Sequence, residues 1–231
     1  MRWLIGPLLA LALVACDDNG PKAMDWYYMV GSNADTIWHT KANFYREGNP
    51  IHGSSNGVAG FVGPKALKAK DYRWRIGKGR SLYNQPVPDK VVIEWVSYHD
   101  KKRYGITFDL PNDLGKQMAR QYRVKGKDRW RVEQRDNIAL GMASGGYVEV
   151  YITDPDLKPD ILLARGIAQE VPINPNREDP LDSQFKNAWA GFDKKFREAY
   201  QHYPTPSGMA WAPIMDSYRA AQPKTDTDPV N

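Results

Sequence analysis

The chain has very little cysteine. Cys16 is the only one in 231 residues, so an exported domain made from this sequence has no disulfide framework to build. Long hydrophobic runs are missing as well: the apolar stretch from Trp3 to Val14 is too short to span a bilayer as a helix. Neither sign of charge dominates, since 32 Lys and Arg stand against 27 Asp and Glu for a net +5, and that balance gives no reason to expect nucleic acid as a partner. Internal repeats and low-complexity tracts are absent. Disorder is excluded by 8 Trp and 13 Tyr, because disordered chains are poor in aromatics.

Residues that do chemistry are also sparse. The four histidines, His39, His52, His99 and His202, lie far apart, with no pair at the i, i+4 spacing of a helical metal site. No G-x-S-x-G elbow occurs, and "SGG" at 144–146 reads as a turn needing positive backbone dihedrals. "IGKGRS" at 76–81 has two glycines and two cations but matches neither phosphate-binding glycine pattern. Asp109 and Asp113 fall at a strand end and a helix first turn, where acidic side chains belong for dipole reasons. No catalytic residue, metal, cofactor or small-molecule ligand is therefore expected.

What is present starts at the N-terminus. "MRWLIGPLLALALVAC" carries one cation, Arg2, then the apolar stretch, then small residues, the layout of a bacterial export signal. Cleavage after Ala12, where "ALA" supplies small residues, leaves Cys16 as a surface thiol. Against that, "LVAC" resembles the lipobox of bacterial lipoproteins, in which the signal 1–15 is removed and Cys16 becomes the lipid-modified first residue, and Cys16 is read as that anchor. Acyl chains contribute about 0.8 kcal/mol per buried methylene, so a multiply acylated cysteine is a stable anchor. The lipoprotein resemblance also implies that Asp17, directly after the anchor, favours retention in the inner membrane, a rule that holds in enterobacteria. Residues 16–24 then read as a tether, 25–219 as one globular domain and 220–231, "AQPKTDTDPVN" with its preceding alanine, as a flexible tail.

Within the domain, apolar residues recur at every second position. "DYRWRI" alternates Tyr72, Trp74 and Ile76 with Arg73 and Arg75. "VVIEWVSY" at 91–98 and "RYGITFDL" at 103–110 flank a polar turn and predict a hairpin; "NIALGM" at 137–142 and "YVEVYI" at 147–152 predict another around "ASGG". "DWYYMV", "TIWHTKANFY", "GVAGFV" and "DILLARGI" are further candidate strands. Two helices are predicted. "PNDLGKQMARQY" has Pro111 in its first turn and Leu114, Met118 and Tyr122 on one side; "DPLDSQFKNAWAGFDKKFREAY" has Asp179 as cap, Pro180 in its first turn, and a stripe of Phe185, Trp189, Phe192, Phe196 and Tyr200. "YPTPSG" stops that helix and "MAWAPIMDSY" returns to dock. The fold class expected is α+β, a mostly antiparallel sheet or sandwich with a helix after the central hairpin and an amphipathic helix near the C-terminus.

Cations collect near aromatics in "HDKKRY" at 99–104 and "RVKGKDRWR" at 123–131. One account makes these solvated loops; the other makes them a protein-binding surface through His99, Lys101, Lys102, Arg103, Lys125, Lys127 and Arg129.

Two segments together, "VVIEWVSYHDKKRYGITFDLPNDL" and "DNIALGMASGGYVEVYI", resemble a family of bacterial lipoproteins of formally unknown function, often encoded beside phospholipase effectors of the type VI secretion system. The resemblance covers about residues 86–170; it departs at Ser144, where the family turn usually has proline, and along 25–62. It implies a membrane-tethered periplasmic immunity protein that binds and neutralises a cognate secreted phospholipase effector, with no enzyme activity of its own. Two other classes fit the residues: an envelope accessory lipoprotein serving a secretion or cell-wall assembly, and a periplasmic hydrolase with sugar-stacking aromatics.

Overall fold

A computed structural model describes residues 19–51, 56–57, 63–173, 175–176 and 178–230. In chain order the strands and helices are Ala23–Ser32 (β1), Ile37–Arg46 (β2), Asn49–Pro50 (β3), Asn56–Gly57 (β4), Pro64–Ala69 (α1), Arg75–Pro86 (β5), Lys90–Ser97 (β6), Lys102–Asp109 (β7), Leu114–Ala119 (α2), Gln121–Lys125 (β8), Trp130–Gln134 (β9), Asn137–Ala143 (β10), Tyr147–Thr153 (β11), Ile161–Ile167 (β12), Gln169–Glu170 (β13), Leu181–His202 (α3) and Ala212–Ala220 (α4). One sheet has the order β12-β11-β10-β1-β5 and the other β13-β7-β6-β2-β3, with β4 also on β2; β8 and β9 form a separate ribbon. All the strand pairs are antiparallel except β1 with β10, so the α+β, mostly antiparallel class expected from the sequence is the one observed.

The two large sheets face each other over one core because alternate residues of each are apolar. Trp26, Tyr28, Val30, Ile138, Leu140, Met142, Val148, Val150 and Ile152 come from the first sheet, and Phe44, Val91, Ile93, Trp95 and Tyr104 from the second. Trp26 and Tyr28 both meet the Phe44 ring, at centroid distances of 5.1 and 5.2 Å. The outer face of the first sheet is covered too. Trp74, Tyr147, Tyr151, Trp211 and Met215 form a second core there, beneath α4. Trp74 lies flat on Gly141, where a Cβ would stand 2.4 Å from its ring.

Helix α3 docks through its stripe: Phe185, Trp189, Phe192 and Phe196 are buried, and burial of each is worth about 2 kcal/mol. Phe185 and Trp189 pack on Val96, and Phe192 joins the second core. The helix begins at Leu181 with Pro180 as its cap residue, and no side chain caps it; Asp179 accepts the Gln184 amide through its backbone carbonyl instead.

Several local expectations change. Tyr122 does not continue α2: the backbone turns extended at Arg120, and Tyr122 lies on β8. Pro111 precedes α2, whose first turn starts at Leu114 after Asp113. Residues 123–131 are a hairpin rather than a loop. In "DYRWRI" only Arg75 and Ile76 belong to a strand, β5, which also absorbs "IGKGRS". Of "GVAGFV", residues 58–62 lie outside the described residues.

The ends of the domain are tied down. Lys116 donates its N–H to the Asn19 carbonyl at 2.9 Å, so part of the expected tether packs on α2, and β1 starts at Ala23. Arg135 is 1% exposed, pairs with Asp226 at 2.9 Å and donates to the Pro159 carbonyl at 3.0 Å. Val230 donates to the Gln121 carbonyl and Thr225 to that of Lys158, so the segment read as a flexible tail runs along the body. Its polar composition says nothing of these partners, which lie some 70 to 110 residues earlier.

Candidate functional site

The strands bring two turns together at one end of the sandwich. Turn 98–101 joins β6 to β7, and turn 144–146 joins β10 to β11, with Gly145 and Gly146 at φ +73° and +72°. Asp100 links them. Its carboxylate accepts the Gly145 N–H at 2.7 Å, the Tyr104 hydroxyl at 3.0 Å and His99 Nδ1 at 2.9 Å. Behind it, Ser97 donates its hydroxyl to Asp35 at 2.5 Å and accepts the Asp100 N–H at 2.9 Å, while the His99 N–H donates to Asp35 at 3.0 Å. Tyr200 of α3 donates to the Ala34 carbonyl and sets its ring 4.4 Å from His99. Gly145 also lies against Ser207 and Gly208, and the Ser144 hydroxyl donates to the Pro206 carbonyl at 2.9 Å.

Burial drives the Asp35 carboxyl up to about 6, against the lowering effect of the Ser97 and His99 hydrogen bonds. For His99 burial acts to lower the pKa, yet the Asp100 hydrogen bond and the two carboxylate charges leave it above the ordinary imidazole value. Asp100 is itself partly buried, which acts upward, but its bonds to His99, Gly145 and Tyr104 bring it below the usual carboxylate range. Ser97 is fully buried and its hydroxyl donates to the Asp35 carboxylate, so the cluster ties the two turns together.

The residues singled out in the sequence divide between the two ends of the sandwich. Cys16 and Asp17 lie outside the described residues. His99, Lys101, Lys102 and Arg103 are at the Asp100 end. Lys101 pairs with Asp193 of α3 at 2.8 Å, Lys102 with Glu170 at 2.8 Å, and Arg103 with Glu178 at 2.5 Å and Glu94 at 3.3 Å. Lys125, Lys127 and Arg129 sit at the tip of the β8–β9 hairpin, which packs through Tyr122 and Val124 on Leu157 in the β11–β12 loop. Strand β11 separates the two sets: Tyr147 starts it beside the Asp100 turn and Thr153 ends it beside that loop, seven residues or roughly 20 Å away.

The buried polar centres are not legible in the sequence. Glu149 is fully buried on the outer face of β11, accepting from Tyr147 at 2.7 Å, Trp74 at 3.2 Å and Arg219 of α4 at 3.0 Å, with Arg165 at 3.6 Å. The alternation in "YVEVYI" marks it only as an outward side chain, and nothing local announces the helix that covers it. Asp35, in "SNAD" between two strands, likewise reads as a turn residue. Among the described residues no cluster of three or more His, Cys, Asp or Glu is arranged to hold a metal ion, and no helix is long and apolar enough to cross a membrane.

Fold and site define a two-sheet α+β protein whose sandwich is pinned at one end by a buried carboxylate cluster. A family model described as "Protein of unknown function (DUF2931)" matches residues 14–208, and the chain belongs to that family. The match takes in the Asp100 cluster and the β8–β9 hairpin and stops before α4. No curated protein and no solved structure matches the chain significantly.

Proposed function

We propose that the protein is a periplasmic immunity lipoprotein, anchored through Cys16, that binds and neutralises a phospholipase effector of the type VI secretion system. Asp17 favours the inner membrane as its place. The observation that carries the reading is spatial: the two segments that resemble immunity lipoproteins meet at one end of the sandwich, where Asp100 ties turn 98–101 to turn 144–146. Such a pre-bonded end loses little conformational entropy when a partner covers it, which favours tight capture of a toxin. Met209, exposed beside Gly208, and Trp38, exposed near the start of β2, offer apolar anchors at that end. Lys101, Lys102 and Arg103 already have carboxylate partners, so in this reading His99 and the apolar side chains supply contact and the cations shape the rim.

Neutralisation is by occlusion, one immunity protein per effector, and the anchor raises its concentration where lipid is attacked. Co-production with the phospholipase encoded next to it, directed to the periplasm, tests the proposal. Cells making both proteins survive and yield a complex; death at normal immunity-protein levels, with no complex, overturns it and favours the accessory role.

A further inference from the structure

The cations at the opposite end differ from those at the Asp100 turn in one respect. Arg123, Lys125, Lys127 and Arg129 have no carboxylate within ion-pair distance among the described residues; in the hairpin only Arg131 does, pairing with Glu133 at 3.3 Å and with Asp156. The register places them. Opposed residues of an antiparallel pair share a face, so Lys125 with Trp130 and Arg123 with Val132 form one face, while Tyr122 and Val124 turn the other toward Leu157. That first face is open, with Trp130 59% and Val132 51% exposed. Lys127 and Arg129 occupy the turn, closed by the Gly126 N–H on the Arg129 carbonyl at 3.0 Å.

The same end is where the N-terminus leaves the domain. The Asn19 carbonyl is bonded to Lys116 of α2, and α2 passes to β8 through Arg120 alone. Cys16 precedes Asn19 by three residues, a reach of at most about 11 Å. An acylated Cys16 therefore holds this end at the lipid headgroups. Tyr83, 72% exposed near the end of β5, and Val230, beside Gln121, belong to it too. Trp and Tyr favour the membrane interface, and Lys and Arg are drawn to anionic headgroups.

We propose that the β8–β9 hairpin is a second membrane contact, whose Arg123, Lys125, Trp130 and Val132 face lies on an anionic lipid surface and turns the Asp100 end toward the periplasm. The proposal rests on the Cys16 anchor but not on the identity of any effector. It assigns Lys125, Lys127 and Arg129 to lipid, leaving protein capture to the far end.

The test uses the lipidated protein, which has no other cysteine, carrying Lys127→Cys or Lys194→Cys with a fluorophore on the introduced thiol. Each is reconstituted in vesicles of phosphatidylcholine alone or mixed with phosphatidylglycerol, containing a lipid with a quencher at headgroup depth. Quenching at position 127 is about threefold or more stronger than at position 194 in the anionic vesicles, falls in the neutral ones, and falls on raising salt. Arg123→Glu with Lys125→Glu abolishes the difference while the protein stays membrane-bound. Equal quenching at both positions in an acylated protein overturns the proposal and leaves the immunity reading intact. Shielding of position 127 only after the adjacent effector is added makes the hairpin a protein-docking surface and overturns it also. Absence of acyl mass on the N-terminal peptide removes the anchor and the proposal together.

Discussion

Replacing Glu149 by Gln keeps the shape of a fully buried side chain and removes its charge. Two guanidiniums then lose their internal counter-ion: Arg219 at 3.0 Å and Arg165 at 3.6 Å. Breaking a buried pair from one side costs about 3 to 5 kcal/mol, since the remaining charge stays desolvated. Here the loss is smaller. Asp216, whose side chain is 54% exposed, still pairs with both arginines, and the amide oxygen still accepts from Tyr147. We expect about 2 to 3 kcal/mol, which for a domain near 200 residues lowers the melting temperature by roughly 5 to 10 °C. Thermal unfolding followed by circular dichroism measures it. Adding Arg219→Met to Glu149→Gln should cost less than the two single changes summed, because the double variant no longer buries that uncompensated charge. A loss below about 0.5 kcal/mol for Glu149→Gln, or simple additivity, would refute the idea that this carboxylate clamps α4 to the sheet.

Other outcomes follow from the same packing and charge arguments. Trp189→Ala empties a buried site stacked on Phe185 at 5.6 Å and should cost about 3 to 5 kcal/mol, while Lys194→Ala on the exposed side of α3 stays within about 0.5 kcal/mol; equal shifts in urea midpoints would mean the stripe is not docked. The Asp35 pKa, raised to about 6 by burial, gives the native state an extra proton between the unfolded carboxyl value and 6, so stability falls as pH rises through that window. His99, also raised, adds to the fall at higher pH, and Asp100, lowered, acts only at more acid pH. Asp35→Asn should flatten the melting temperature between about pH 4 and 6, where wild type loses up to about 3 kcal/mol, and an unchanged slope would contradict the assignment. Cys16→Ser should abolish incorporation of labelled fatty acid and release the protein from membranes; incorporation that persists in the variant excludes the lipobox reading.

The strands easiest to read in the sequence were those with one face on the common core. Val91, Ile93 and Trp95 belong to a β-rich run interrupted only by Glu94, and the residues flanking "ASGG" alternate with less apolar neighbours, because the pleat sends every second side chain inward. The β8–β9 hairpin was hidden for a different reason. Its alternation lasts only five residues in each strand, its polar positions are filled by cations that read as a solvated loop, and Tyr122 at four residues from Met118 imitates a helical stripe. The parallel pairing of β1 with β10 joins segments more than 100 residues apart and leaves no local mark. Of the candidate site, the turns and their cations were visible. Which cations were already neutralised was not, since Asp193, Glu170 and Glu178 come from elements that follow much later in the chain.

Titration of the purified effector with the purified lipoprotein, reading lipid hydrolysis, decides whether the protein neutralises by capture. Activity should fall linearly and be extinguished at one lipoprotein per effector, as tight occlusive binding requires. Full hydrolysis in the presence of excess folded protein would contradict it.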